Sequence, residues 1–127
     1  MKNIRQTVVI KASPHDVYET LIDSRKHSQL TGSKAEISRK NGGNFSVWDG
    51  DVNGVNLELV PDRKIVQSWR LDDWPENHFS KVTFKIEPDE KGTRIIFTQS
   101  AVPDEALDDV KQGWYEYYWN PMREMFK

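Results

Sequence analysis

The chain has 127 residues, with 18 Lys and Arg against 20 Asp and Glu for a net charge of −2, and no cysteine. That balance lacks the basic footprint of a nucleic-acid binder. The missing thiols exclude a disulfide framework, a cysteine nucleophile, a zinc ribbon and an iron–sulfur site, leaving only His and carboxylates as metal ligands.

The length suits one domain over residues 1–127. Hydrophobic residues make up only 36% of it, so the core must lean on five Trp, five Phe and four Tyr. The first apolar run, Val8-Val9-Ile10, is far too short for a signal-peptide core or a membrane span, so a soluble, cytoplasmic protein is expected.

From Asn3 to Lys11, Ile4, Gln6, Val8 and Ile10 alternate with Arg5, Thr7, Val9 and Lys11, the period of a half-buried strand. Ser13-Pro14-His15-Asp16 then reads as a helix start, with Ser13 as cap, Pro14 in the first turn and Asp16 at the capping-box position. Val17, Tyr18, Leu21 and Ile22 form its apolar face, and Asp23 to Leu30 reads as a second short helix.

Between Ser33 and Ser100 the punctuation is that of hairpins: Asn41-Gly42-Gly43, Asp49-Gly50, Asn53-Gly54, Pro61-Asp62-Arg63, Trp74-Pro75-Glu76-Asn77 and Glu90-Lys91-Gly92. The clearest strands are Lys64 to Leu71, His78 to Glu87 and Thr93 to Ala101. Ile65, Gln67, Trp69 and Leu71 share one face of the first, and Val82, Phe84 and Ile86 share one face of the second.

After Pro103 the period becomes 3.6, with Asp104 as expected cap and Glu105, Asp108 and Asp109 at the positive end of the helix dipole. Leu107, Val110, Trp114, Tyr117, Tyr118, Pro121, Met122 and Met125 define an apolar face over about 23 residues, roughly 34 Å of helix. Pro121 is expected to kink its last turns or end it early. These elements predict an α+β helix-grip fold: a curved antiparallel sheet wrapped around a long C-terminal helix, with one or two short helices after the first strand and room for an apolar pocket between the layers.

No motif calls for catalysis. Asp49-x-Asp51-x-Asn53-Gly54 copies the first half of an EF-hand loop, but Val60 stands where the closing Glu belongs, so turn chemistry is the expected reading. Asn41-Gly42-Gly43-Asn44 lacks the Gly-Lys-Ser/Thr of a phosphate loop. His15, His27 and His78 are far apart and expected to be solvent-exposed, with no metal site, no cofactor and no nucleophile elbow. Tyr18, Ile65, Gln67, Trp69, Phe84, Phe97, Trp114 and Tyr118 are the candidate lining of the pocket, unless the same aromatics simply fill it. Trp74, in a turn, either packs back or meets a partner.

Gly42-Gly43-Asn44-Phe45, Asp49-Gly50-Asp51-Val52-Asn53-Gly54 and the run from Leu59 to Arg70 resemble the activator of heat-shock protein 90 ATPase family. Trp74-Pro75-Glu76-Asn77-His78-Phe79 and Lys111-Gln112-Gly113-Trp114-Tyr115-Glu116-Tyr117-Tyr118 resemble that family's C-terminal domain, and the likeness covers nearly the whole chain. It implies a START-like, birch-pollen-allergen-like helix grip without catalysis, docking onto heat-shock protein 90 through a polar surface. The alternative it carries is a carrier or sensor of a small hydrophobic or aromatic ligand. In the eukaryotic co-chaperone the matching domain follows an N-terminal domain that makes much of the chaperone contact. Here the first strand starts within a few residues of Met1, so that partner domain is expected to be absent.

Overall fold

The structure is a computed structural model that describes residues 2–127. Strand β1 (Lys2–Ile10) buries Ile4, Gln6, Val8 and Ile10, as its alternation requires. Helix α1 (Pro14–Ile22) is capped by Ser13, whose hydroxyl accepts the Asp16 N–H at 3.1 Å. Helix α2 (Ser24–Thr31) is capped by the Asp23 carboxylate and ended by Gly32 in the left-handed region at φ 73°. Six strands follow: β2 (Glu36–Ile37), β3 (Asn44–Val47), β4 (Val52–Val60), β5 (Lys64–Leu71), β6 (Ser80–Asp89) and β7 (Gly92–Val102).

Every strand pairing is antiparallel, and the order across the sheet is β1-β7-β6-β5-β4-β3-β2. The first strand therefore closes against the last, and one face of the curved sheet grips the C-terminal helix. Among the described residues no helix is long and apolar enough to cross a membrane.

Several local expectations are corrected. Asn53-Gly54 is not a turn but lies inside β4, with Gly54 opposite Phe45. A Cβ there would stand 1.8 Å from the Ser68 carbonyl oxygen and 2.7 Å from the Phe45 ring, so the glycine serves close strand approach. The β3–β4 turn lies where Asp49-Gly50 placed it, over residues 48–51, with Trp48, Asp49 and Gly50 at φ 56°, 54° and 95°.

Trp74, the candidate partner contact, is buried at 7% exposure, its ring edge-on to His78 at 5.8 Å. The Arg70 guanidinium pins this turn by donating to the carbonyls of Trp74 and Pro75.

The C-terminal helix occupies residues 104–125 and does not end at Pro121. A 3₁₀ turn (Asp104–Ala106), with Pro103 rather than Asp104 at its cap, leads into α3 (Leu107–Trp114). A π-helical turn (Tyr115–Trp119) then joins α3 to α4 (Asn120–Met125). The Asn120 N–H reaches back five residues to the Tyr115 carbonyl, which sets Pro121 in the first turn of α4, where a missing N–H is tolerated. The extra residue also turns both Tyr118 and Trp119 inward, while Tyr117 and Met125, expected on the apolar face, are 52% and 43% exposed.

Candidate functional site

Trp114 is the centre of the aromatic core. Its ring lies 4.3 Å from Phe97, 4.6 Å from Tyr118, 5.1 Å from Trp69 and 5.7 Å from Trp119, centroid to centroid. Each indole N–H that enters this core needs an acceptor, since an unpaired buried donor is costly. Trp114 donates to Gln99 Oε1 and Trp119 to Gln6 Oε1, both at 2.8 Å. Gln99 in turn donates to the Ser80 hydroxyl, and Gln6 to the Lys111 carbonyl, so each glutamine ties the helix to a strand.

A second network runs from the surface inward through Tyr118, and its proton positions follow from the partners. The Leu21 carbonyl can only accept, so His27 Nδ1 carries the proton at 3.0 Å from it. The Trp48 indole can only donate, so Tyr118 Oη accepts from it at 3.1 Å. The tyrosine proton then goes to His27 Nε2 at 3.0 Å. Burial lowers the His27 pKa, against a smaller upward effect of the Leu21 hydrogen bond. Burial also pushes the Tyr118 hydroxyl far above its usual range. His27, expected at the surface, is thus a neutral core histidine at 5% exposure.

Of the predicted pocket residues, Gln67, Trp69, Phe84, Trp114 and Tyr118 do meet, together with His27, Leu21 and Phe45. They enclose only about 10 Å³, at the lower limit for a single water. Gln67 turns one amide N–H away from that space, donating to Asn56 Oδ1 at 3.0 Å. Ile65 and Phe97 are fully buried beside it. Tyr18 lies on the buried face of α1, and burial raises its pKa, with smaller effects from Arg39, Glu19 and Asp62.

The open concavity lies further out, where the C-terminal helix meets the rim of β4 and β5. It is a groove of about 420 Å³ lined by Trp48, Val52, Trp69 and Leu71 from the sheet side and by Val110, Gly113, Trp114, Tyr117 and Tyr118 from the helix, with Asp51 and Asp109 at its edge. A broader depression of about 690 Å³ beside Phe79 has a mixed wall, with Ile37, Phe45 and Val55 among serines, asparagines and Glu36.

The opposite, solvent face of the sheet is basic. Arg5 stands across from Thr98, which pairs with Thr83 between Lys81 and Lys85, and Lys85 faces Lys64. Lys64 pairs with Glu58 at 3.1 Å, whereas Arg5, Lys81 and Lys85 are exposed and make no ion pair among the described residues.

A curved antiparallel sheet holding a C-terminal helix, with an aromatic core and no cluster of three or more potential metal-binding side chains among the described residues, is a START-like helix-grip domain. Residues 11–127 match the family described as Activator of Hsp90 ATPase homolog 1-like protein, and the chain belongs to that family. It is 32% identical over 114 residues to the Activator of 90 kDa heat shock protein ATPase homolog of Dictyostelium discoideum, covering 89% of this chain and 30% of that one. To the human homolog 1 it is 29% identical over 114 residues, covering 90% and 34%. The chain thus spans about a third of the length of these relatives.

An HSP90 activator from Plasmodium falciparum superposes with a TM-score of 0.91 at 26% identity, covering 97% of this chain and 94% of that one. The Aha1 dimer from Colwellia psychrerythraea shares the fold, with a TM-score of 0.82 at 19% identity over 96% and 94% of the two chains.

Proposed function

We propose that the chain is a non-catalytic, co-chaperone-like domain that docks onto heat-shock protein 90 through the basic solvent face of its sheet. The observation that carries this reading is the likeness to the Plasmodium falciparum HSP90 activator, which extends over 94% of that chain at 26% identity. The sheet face supplies a physical means: three unpaired cations on a rigid strand platform attract an acidic partner and speed its encounter.

The test is a titration of the domain into purified heat-shock protein 90 at low and moderate salt, with ATP hydrolysis followed in parallel. Weak, salt-sensitive binding with little stimulation of hydrolysis is expected, because a single small domain lacks the avidity of a tethered pair. No binding at high micromolar concentration rejects direct docking.

The aromatic groove favours a second reading, a carrier or sensor of a small apolar or aromatic ligand. Saturable quenching of tryptophan fluorescence by a panel of fatty acids, flavonoids and sterols tests it, and a panel without a saturable member removes it.

A further inference from the structure

Resting on that second reading, we propose that the groove between the C-terminal helix and the β3–β4 turn is a site for a small organic cation, an aryl or alkyl ammonium. What the wall offers decides the class of ligand. The polar hydrogens of Trp48, Trp114 and Tyr118 are all consumed inside the protein, by Tyr118, Gln99 and His27 respectively. Those side chains therefore offer no donor to the groove, and with Trp114 and Tyr118 only 2% and 3% exposed its accessible π surface comes chiefly from Trp48 and Tyr117. Trp48 meets Tyr117 edge-on at 5.4 Å and 72°, and Tyr118 edge-on at 6.0 Å and 79°, an arrangement of rings at right angles that suits an onium group seated against their faces.

The charged groups point the same way. The lining contains two carboxylates, Asp51 and Asp109, and no Lys, Arg or His. Among the described residues neither carboxylate makes an ion pair or a side-chain hydrogen bond, in a chain where many other acids find a cation. One sits at the end of the β3–β4 turn and the other in the first turn of α3, so sheet and helix each contribute a negative charge to one mouth. An anion would meet two like charges. A neutral polar ligand would find no free donor from these three rings, only the Trp69 indole N–H and the Tyr117 hydroxyl, which make no hydrogen bond among the described residues. The volume of about 420 Å³ is that of a small-molecule site. Trp48 is held in place there by a left-handed backbone at φ 56°, unusual for a bulky residue.

The experiment compares benzyltrimethylammonium with its uncharged isostere neopentylbenzene, each below its solubility limit, by chemical-shift changes at the indole N–H signals of Trp48 and Trp69. The cation is expected to bind saturably and about ten-fold tighter than the isostere. The double variant Asp51→Asn with Asp109→Asn should cancel most of that difference while leaving binding of the isostere unchanged and lowering the melting temperature only slightly, since both side chains are exposed and only Asp109 faces a helix dipole. Tyr117→Leu, at a residue 52% exposed, keeps apolar area but removes a π face, and should weaken the cation alone. Equal binding of the two probes overturns the cation assignment while the apolar-ligand reading stands. Saturable shifts with neither probe overturn both.

Discussion

The Tyr118 hydroxyl can donate to His27 Nε2 only while His27 is neutral; a proton there would strand the tyrosine proton and bury a charge, which makes the imidazole a liability in acid. The unfolded chain takes up a proton near pH 6.5, whereas the native state, whose His27 pKa is lowered by burial, does so only further down. Stability is therefore complete above pH 6.5 and declines as the pH falls through the interval between the two values, by at most about 1.4 kcal/mol per pH unit. Urea midpoints on either side of that pH should show this slope, and His27→Gln should flatten it. An identical slope in the variant would assign the effect to other groups.

Trp114→Ala, at 2% exposure, should cost about 3 to 5 kcal/mol, far more than Glu116→Ala on the solvent side of the helix. Equal losses in thermal melts would contradict the packing described. The role of Gln6 was half visible in the sequence, because a polar amide at an inward strand position calls for a partner. His27 was not, since its segment is polar on every side except Leu30 and its burial comes from a residue 91 positions away.

At the level of elements, period and turn chemistry located β1, α1, α2, β5 and the C-terminal helix within about a turn of their ends, because each carries its own cap or alternation. They failed where tertiary contact overrode the local signal. The π turn at Tyr115–Trp119 has no marker in the sequence beyond the proline that follows it, and Asn53-Gly54 reads as a turn although its glycine serves a neighbouring strand. Gly54→Ala should accordingly overpack β4 against β5, costing about 3 kcal/mol or more. Gly50→Ala, in open space at φ 95°, should cost only about 1 kcal/mol of backbone strain. Chemical denaturation of the two variants gives the comparison, and similar losses would refute the close-approach role.

The same strand bears on calcium: Asn53 spends its amide on the Gly50 carbonyl at 2.9 Å, and residues 52–60 are paired along both edges for much of their length. Millimolar calcium should leave the melting temperature unmoved. A chelator-reversible rise would restore a metal reading.

Over the whole molecule the net charge of −2 conceals a division. Asp104, Glu105, Asp108, Asp109 and Glu116 lie along the C-terminal helix, while Arg5, Lys81 and Lys85 stand on the far side of the sheet. Neither face is evident from composition, since the basic group comes together only through the β1-β7-β6 register. If the sheet face docks the domain, Lys81→Glu with Lys85→Glu should weaken binding to heat-shock protein 90 by an order of magnitude or so at low salt, and by less once the Debye length falls to about 10 Å. The matched reversal Glu116→Lys with Glu124→Lys, on exposed helix positions, should leave affinity the same or slightly raise it.

Both pairs change net charge by equal amounts of opposite sign, so long-range steering alone would produce equal and opposite effects, and only a local contact makes the sheet pair dominant. Unchanged melting temperatures would certify both proteins as folded, as surface substitutions of this kind normally are. Should the helix pair instead govern affinity, the docking face would be the one that carries the aromatic groove.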